Sequence, residues 1–473
     1  MLFNSLGFLI FFPVVTILFF LLPYNKRWML LLAASCYFYM YFKPIYILIL
    51  FFTIIIDYYA GIYLEKIKDD KKRKWFLIAS LIANIGVLAI FKYYNFLEDN
   101  VKSIAELLGS DISFPALNII LPIGLSFHTF QAMSYTIEVY RKKQKAEQRF
   151  GIYALYVMFY PQLVAGPIER PQNILHQFYK KTDFSYDNAV SGLNLIAFGL
   201  FKKIIIADRL AVYVNQVYGD LDNASSISTF LALIFFSFQI YCDFSGYSDI
   251  ARGTARVMGF ELMLNFDRPY LSQSISEFWK RWHISLSTWF RDYLYIPLGG
   301  NRVSKIRLYY NLFLVFMVSG LWHGANWTFV VWGALHGFFN IFGIITKQAQ
   351  IRIANSLNLI LFPQLRKILN ILTVFFLVSF AWVFFRAQDF DQAILFYKKL
   401  FSLDFTFNLT QICAEKGPLN LLLSFIALGL LFLSYYLPKD LKIKHNVLFL
   451  FSIFFLIVIL GKNGYSDFIY FQF

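Results

Sequence analysis

The six histidines are the residues of this sequence best suited to proton transfer, because imidazole gains and loses a proton near neutral pH. His323 stands in VSGLWHGANWTFVVWG, between two apolar segments and among serine, glycine and alanine residues. An ionisable group inside an apolar sequence is costly and is a candidate for function. Two interpretations compete: a histidine packed between helices, and a general base in a dry cavity for which its small neighbours leave room.

A second histidine, His283, has a basic and aromatic setting. It stands in WKRWHISLSTWFRD, close to Lys280, Arg281 and Arg291. Such a segment suits the binding of phosphate groups. It suits equally an interfacial helix whose arginines and tryptophans lie at lipid headgroups.

The remaining histidines are weaker candidates. His336 follows His323 by 13 residues, which in a continuous helix is about 20 Å along the axis and on another face. The two histidines cannot share a site unless the helix breaks, and we therefore expect His336 to pack inside the protein. His128 lies in PIGLSFHTFQAMSY and is a candidate cavity residue. His445 lies in a basic loop and is expected to be solvated, and His176 lies in a polar stretch with nothing to single it out.

Other chemistries lack a motif in this sequence. It contains neither the G-x-S-x-G motif of a hydrolase serine nor the glycine-rich loop of a P-loop ATPase. The cysteines Cys36, Cys242 and Cys413 are far apart and show no metal-ligand spacing. We therefore predict neither a disulfide framework nor a metal site.

The composition is that of a protein whose surface faces lipid. Hydrophobic residues make up 59% of the chain and charged residues only 15%, against about 45–50% and about 25% in soluble domains. The net charge of +15 comes from short basic clusters between long apolar segments. That pattern is typical of loops between membrane helices, whereas nucleic-acid binding needs a continuous basic face. We predict a multi-pass protein in contact with membrane lipids and without a nucleic-acid partner.

A helix that crosses a membrane needs about 20 apolar residues. Several apolar segments are short or contain proline, so we predict roughly ten to twelve true spans, with the rest re-entrant or interfacial. The candidate segments are 2–22, 28–42, 45–64, 75–93, 116–139, 150–165, 188–207, 226–242, 308–322, 325–346, 368–386, 418–437 and 447–461.

Basic clusters orient the first half of the chain. They follow the first, third and fifth apolar segments, at 26–27, 66–74 and 141–145. Because cytoplasmic loops are enriched in lysine and arginine, these loops are predicted to be cytoplasmic and the N-terminus extracytoplasmic. The stretch 243–305 is rich in charged and aromatic residues, and we predict an interfacial, partly re-entrant segment there. No linker is apparent, so residues 1–473 are predicted to form one membrane domain.

Two long segments, WKRWHISLSTWFRDYLYIPLGGNR and SGLWHGANWTFVVWGALHG, resemble the membrane-bound O-acyltransferases (MBOAT). The resemblance is to the bacterial branch that contains the membrane subunits of alginate and peptidoglycan O-acetyltransferases. It covers essentially the whole chain. Further support comes from PIGLSFHTFQAMSYTIEVYR, YPQLVAGPIERP, YCDFSGYSDIARG and the C-terminal FIYFQF.

The resemblance implies an all-α polytopic fold, a ring of helices around a thin centre with a central tunnel. In that tunnel a cytosolic acyl donor would meet an acceptor from the other side. His323 corresponds to the invariant histidine of the family and His283 to its second motif residue, and both are expected to be catalytic. Small residues near His323 would thin the barrier, and the basic segment near His283 would receive acetyl-CoA. The candidate donor-binding or tunnel-lining residues are Trp279, Lys280, Arg281, Arg291, Asp292, Trp322 and Asn326.

The C-terminal tail adds a hypothesis. Tyr470 stands among phenylalanines and resembles an aromatic C-terminal motif of the D-alanylation system. Its hydroxyl would accept the acetyl group near His323 and pass it to an extracytoplasmic O-acetyltransferase partner. An aromatic anchor at the membrane interface is the alternative interpretation of Tyr470.

The resemblance implies an O-acetyltransferase of the bacterial cytoplasmic membrane that acts on a cell-envelope polysaccharide, either peptidoglycan or alginate. Abundant Lys, Ile, Asn, Phe and Tyr, which AT-rich codons favour, incline the choice towards peptidoglycan or another common glycan rather than alginate. The alternatives are D-alanyl transfer to teichoic acid from a carrier protein, an envelope-precursor transporter and a polytopic glycosyltransferase. A transporter would show paired inverted halves, which are not visible in this sequence.

Overall fold

The protein is built from helices. The computed structural model describes residues 1–110, 115, 117, 122–164, 166–406, 417–436, 447–461 and 468–469, and no β-strand occurs among them. The α-helices are α1 (Leu6–Leu21), α2 (Tyr24–Met40), α3 (Ile47–Lys66), α4 (Asp70–Leu88), α5 (Tyr94–Leu107), α6 (Leu125–Tyr140), α7 (Phe150–Met158), α8 (Tyr160–Leu163), α9 (Pro171–Ile174), α10 (Tyr186–Leu200), α11 (Asp208–Gly219), α12 (Ser226–Val257), α13 (Ile275–Arg281), α14 (Ile284–Phe290), α15 (Lys305–His323), α16 (Trp327–Ile345), α17 (Lys347–Ser356), α18 (Pro363–Arg386), α19 (Phe390–Leu400), α20 (Gly417–Tyr436) and α21 (Val447–Leu460). The all-α prediction is confirmed.

Several helical stretches are long and apolar enough to cross a membrane. Within the described residues they number seven, and two shorter apolar helices cover Leu6–Leu21 and Leu450–Leu460. The total number of spans stays a prediction. The long stretches are Pro44–Lys66, Asp70–Leu107, Tyr186–Gly219, Ser226–Val257, Trp327–Ile345, Pro363–Arg386 and Gly417–Tyr435.

Polar side chains fix where several helices begin. Ser5, Asp69 and Ser304 cap α1, α4 and α15 by accepting hydrogen bonds from backbone N–H groups of the first turn. Asn326 caps α16 in the same way. Such caps satisfy N–H groups that have no partner within the helix, at about 0.5–2 kcal/mol each.

The chain forms two compact units that are interleaved in sequence. The first unit comprises Met1–Ala197, Tyr247–Met263 and Asp440–Leu450, and the second comprises Phe198–Gly246, Leu264–Lys439 and Phe451–Phe473. The single-domain organisation stays a prediction.

In the first unit, α3, α4 and α6 pack around a buried polar cluster. The Asp57 carboxylate accepts hydrogen bonds from Ser80 Oγ at 2.6 Å and Asn84 Nδ2 at 2.9 Å. His128 Nε2 lies 2.6 Å from Thr53 Oγ1. Since buried polar groups are costly without partners, these bonds account for the tolerance of polar residues in apolar helices. The cavity role of His128 stays a prediction.

In the second unit, α15 and α16 form a hairpin that packs against α18. Its core is aromatic, with Trp282, Trp332 and Trp382 almost fully buried. Rings of this size contribute large apolar areas and prefer the tilted and edge-to-face contacts found here. The hairpin therefore holds the segment around His323 rigidly.

The stretch 243–305 differs in part from the prediction. Residues 243–257 do not form a separate re-entrant segment but continue α12, which runs without a break from Ser226 to Val257. The helix continues because its polar residues have partners inside the protein, as Asp243 has in an ion pair with Lys203. After residue 264 the chain does form short helices, α13 and α14, separated by Trp282 and His283.

Candidate functional site

His283 occupies the junction between α13 and α14 in an unusual backbone conformation. Its φ of 43° and ψ of 56° lie in the left-handed region, which few residues other than glycine adopt. The side chain is fully buried. The junction is tied to Asn265, because the Ile284 N–H donates to the Asn265 backbone carbonyl at 2.9 Å. Unusual conformations of this kind persist where the surrounding structure holds them, and they cluster at functional sites.

The hydrogen bonds of Asn265 assign the proton on the His283 ring. Asn265 Oδ1 accepts from the Ser285 N–H at 3.2 Å and from Ser285 Oγ at 2.9 Å. A backbone N–H can only donate, so this amide atom must be the oxygen. His283 Nδ1 lies 3.2 Å from the same oxygen and must donate to it. The neutral ring therefore carries its proton on Nδ1 and its lone pair on Nε2.

Burial also sets the charge of His283. Loss of solvent lowers the pKa of His283 to about 3, because burial penalises the charged imidazolium. The ring is therefore neutral at neutral pH. A neutral imidazole with its lone pair on Nε2 can accept a hydrogen bond or a proton there but cannot bind a phosphate by charge.

His323 is the last residue of α15. It is 5% exposed, and its ring makes edge-to-face contacts with Trp322, Trp332 and Phe385 at centroid distances of 4.9, 5.0 and 5.3 Å. The last turn of a helix carries a partial negative charge that favours a cation by about 0.3–1 kcal/mol. This setting suits a residue that takes up a proton during a reaction.

Trp322 brings the two predicted catalytic histidines together. Its ring centre lies 4.9 Å from that of His323 and 6.2 Å from that of His283. The histidines are 40 residues apart in the sequence, and both belong to the second unit. The structure therefore places two buried imidazole rings in contact with the same indole ring.

The separation of His336 from His323 was predicted for a continuous helix only. The helix does break there, because α15 ends at His323 and α16 begins at Trp327. Trp332 consequently contacts both rings, His323 at 5.0 Å and His336 at 4.9 Å. His336 is fully buried among aromatic side chains, in agreement with its predicted role in packing.

The small residues around His323 serve helix packing. A Cβ on Gly320 would lie 2.3 Å from the Phe329 carbonyl oxygen, and one on Gly333 would lie 2.4 Å from the Phe316 carbonyl oxygen. A Cβ on Gly324 would lie 2.1 Å from the Phe329 ring. The space directly beside these three glycines is filled by the neighbouring helix, so the glycines allow the close contact between α15 and α16.

Replacement of Gly320 by alanine is expected to lower the free energy of unfolding by about 1–3 kcal/mol, the usual cost of overpacking. The added methyl group would press on the Phe329 backbone, which cannot move away as a flexible side chain would. Thermal unfolding of the detergent-purified protein measures the effect. Gly343→Ala on α16 is the matched control, since no atom lies within 4 Å of its added Cβ. Equal melting temperatures for the two variants would show that the close packing is not needed.

Two of the three predicted donor-binding cations, Arg281 and Arg291, pair with carboxylates. Arg281 Nη2 lies 2.7 Å from Glu277, and Arg291 Nε lies 2.8 Å from Asp292. Lys280 is exposed at the end of α13. The pairing with Asp292 raises the pKa of Arg291.

Trp279 and Asn326 make contacts that belong to packing. The Trp279 ring lies 4.9 Å from His336 and 5.7 Å from Trp332 between centres, so α13 packs on the aromatic core through it. Asn326 accepts the Thr328 N–H and donates to the Gln388 carbonyl, and both bonds are structural. Roles in donor binding stay predictions for both residues.

Three other residues were singled out in the sequence. Tyr470 and His445 lie outside the described residues, so their roles stay predictions. His176 is exposed.

Asn265 and Trp332 are site residues that the sequence patterns did not reveal. Asn265 precedes His283 by 18 residues, and no local pattern connects them. Trp332 appeared as one aromatic residue of an apolar helix. Only the left-handed junction and the hairpin bring these two side chains to the histidines.

Known proteins are similar to this chain over most of its length. The sequence model of the MBOAT, membrane-bound O-acyltransferase, family matches residues 127–385, a range that contains both motif histidines. The chain is 38% identical over 405 residues to the probable alginate O-acetylase AlgI of Pseudomonas aeruginosa, an alignment that covers 85% of this chain and 75% of the relative. It is 35% identical over 407 residues to the peptidoglycan O-acetyltransferase of Helicobacter pylori, with 80% and 74% covered.

A more distant similarity is to the teichoic acid D-alanyltransferase of Bacillus subtilis, at 28% identity over 234 residues. That alignment covers 47% of this chain and 58% of the relative. The family match spans more than half of the chain and agrees with the helical fold and its long apolar helices. The chain therefore belongs to the membrane-bound O-acyltransferase family and is a multi-pass membrane O-acyltransferase.

Proposed function

We propose that this protein takes acetyl groups from cytosolic acetyl-CoA and passes them across the bacterial cytoplasmic membrane for O-acetylation of a cell-envelope polysaccharide. The observation that carries the proposal is the placement of His283 and His323 on the same indole, Trp322. The similarity to an alginate O-acetylase and a peptidoglycan O-acetyltransferase supports acetyl as the group and an envelope glycan as the acceptor.

His323 is the general base in this proposal. Its ring takes the proton of an acceptor hydroxyl, and the oxygen attacks the thioester carbonyl of the donor. A carbon–oxygen bond forms and the carbon–sulfur bond breaks. The thiolate of coenzyme A leaves and takes up a proton, so His323 returns to its starting state. Burial at 5% exposure keeps water from competing as the nucleophile.

His283 assists the same reaction through Nε2. Because Asn265 holds the proton on Nδ1, Nε2 is an acceptor that orients a hydroxyl or a protonated group of the substrates. Its low pKa argues against a charge-based role in donor binding. Lys280, which is exposed, and the guanidinium groups of Arg281 and Arg291 supply the positive charge for the donor phosphates.

The acetyl group leaves to an extracytoplasmic O-acetyltransferase partner, with Tyr470 as the relay. The acceptor is peptidoglycan or alginate, and the N-terminus is extracytoplasmic. The names of the relatives support an envelope glycan, and the basic clusters at 26–27, 66–74 and 141–145 support the orientation.

Transfer from labelled acetyl-CoA tests the proposal. Purified protein in detergent is incubated with acetyl-CoA that carries a radioactive acetyl group, and release of coenzyme A and labelling of protein or acceptor are followed. We expect turnover with acetyl-CoA and none with a D-alanyl carrier protein. The reverse result would favour the D-alanyl alternative. The similarity to a teichoic acid D-alanyltransferase supports that alternative. In cells, deletion of the gene is expected to remove O-acetyl groups from the envelope glycan.

A further inference from the structure

A buried ion-pair cluster in the second unit lies outside the histidine site. Lys203 Nζ lies 2.8 Å from Asp243 Oδ1 and 3.0 Å from Asp208 Oδ1. The three side chains are between 1% and 6% exposed. Buried charges need both an opposite charge and further hydrogen bonds, because removal from water costs several kcal/mol per ion.

The winding of the chain explains how Lys203 reaches Asp208. The segment Phe201–Ala207 is a π-helix, in which backbone bonds join residues five apart. Lys203 and Asp208 are five residues apart. In an α-helix five residues turn through about 500°, which would place the two side chains about 140° apart around the axis. Such π-helical segments occur frequently at functional sites.

Two carboxylates share one lysine here, so one negative charge must be stabilised by other donors. Asp243 receives such a donor from the C-terminal tail. The Ile469 N–H donates to Asp243 Oδ2 at 2.8 Å. A hydrogen bond to a charged acceptor is about twice as strong as a neutral one. Asp243 is thus the carboxylate of the pair that holds the tail.

The same stretch of α12 connects the tail to the histidine site. Phe244, the next residue after Asp243, contacts Phe468 at 5.7 Å between ring centres. Its ring also contacts His283 edge to face at 4.6 Å. Phe468 and Ile469 are 0% and 2% exposed. The tail backbone is therefore fixed one aromatic ring away from His283.

We infer that Asp243 is a positioning residue that anchors the C-terminal tail beside the His283 site and so sets where the residues after Ile469 begin. Lys203 serves this anchor by stabilising the negative charge of Asp243 and orienting its carboxylate, whereas Asp208 only shares the same ammonium group. The anchored N–H belongs to the residue that directly precedes Tyr470 in the sequence. The consequence for transfer rests on the proposed function, whereas the anchoring itself does not.

Thiol labelling tests the anchor without any acyl chemistry. Cys36, Cys242 and Cys413 are replaced by alanine in the full chain, and Ile469→Cys supplies one buried thiol with its backbone N–H intact. The rate of maleimide labelling then reports how often the tail opens. With Asp243→Ala we expect labelling to accelerate by about tenfold to a hundredfold. That is the loss of protection expected when a hydrogen bond to a charged group is removed.

Asp208→Ala is the matched control. It also removes one of the two carboxylates from Lys203 but leaves the acceptor for Ile469, so its labelling rate should stay within about twofold of the parent. Asp243→Asn keeps a neutral acceptor oxygen and should restore part of the protection. Equal acceleration in Asp243→Ala and Asp208→Ala would overturn the inference, since general loosening of the cluster would then explain it.

A second pair of variants tests the same hydrogen bond from the donor side. It can be used if Asp243→Ala does not fold. Ile469→Pro lacks the N–H, whereas Ile469→Val keeps it, and Phe468→Cys is the labelled thiol in both. Faster labelling only in Ile469→Pro supports the anchor, and equal labelling contradicts it.

Envelope O-acetylation in cells tests the positioning role. We expect a loss with Asp243→Ala and little change with Asp208→Ala. Full O-acetylation by a variant whose tail labels rapidly would show that anchoring is not needed for transfer. If the parent protein itself transfers no acetyl group, the proposed function fails, while the labelling result stands independently.

Discussion

Replacement of His323 by alanine is expected to lower acetyl transfer by about 10²–10⁴-fold, the range that general-base catalysis contributes. The ring lies in a dry aromatic environment at the end of α15, in contact with Trp322, Trp332 and Phe385. Water cannot replace the base efficiently at this position, because the side chain is only 5% exposed. Turnover of labelled acetyl-CoA by purified protein and the O-acetyl content of the envelope glycan in a complemented deletion strain measure the loss.

Two further variants separate chemistry from packing. His323→Phe keeps an aromatic ring among its neighbours but has no ring nitrogen, and it should be as inactive as His323→Ala while melting closer to the parent. His176→Ala makes the same deletion at an exposed position and should leave transfer unchanged. Full O-acetylation in cells that carry His323→Ala would show that His323 is not the base.

Replacement of His283 by alanine is expected to lower kcat at saturating acetyl-CoA by about 10²-fold, at the lower end of acid–base effects. The reason is the lost Nε2 acceptor, which the hydrogen bond from Nδ1 to Asn265 keeps unprotonated. Burial lowers the pKa of His283 to about 3, so the side chain carries no charge at neutral pH that would hold the donor. Steady-state kinetics with varied acetyl-CoA separate kcat from KM.

The Asn265 hydrogen bond supplies an additional test of the same assignment. Asn265→Leu removes the acceptor that fixes the proton on Nδ1, and it should reduce kcat in the same direction but less than His283→Ala. Ser287→Ala is the control on α14, because the Ser287 hydroxyl donates to the Trp282 carbonyl rather than to His283. A raised KM with unchanged kcat in His283→Ala would mean that this histidine binds the donor instead.

Helical structure and membrane residence could be predicted from the sequence because both depend on local composition. A segment such as 368–386 is predominantly apolar, and its backbone can satisfy its hydrogen bonds in lipid only within a helix. The prediction for 243–257 was wrong for a tertiary reason. Charged residues there suggest a loop, but the partner of Asp243 is Lys203, 40 residues earlier in the chain, and no local pattern reveals it.

In the functional site, too, the local sequence predicted some features, and the tertiary structure was needed for others. His323 and His283 could be named from the residues around them and from the resemblance that those residues carry. Their common contact with Trp322, the fixed proton on His283 and the fold-back that brings His336 to Trp332 could not.

The sequence by itself determined that this protein is a helical membrane O-acyltransferase with two histidines as the principal catalytic candidates. Composition and motif residues are sufficient for that conclusion, since each is a property of contiguous chain. The tertiary structure decided which atoms meet. Glycines that suggested space for a ligand prove to be helix contacts, and the tail meets α12 at Asp243 across 226 residues. Contacts of this kind depend on packing between distant segments, and a single sequence contains no local signal for them.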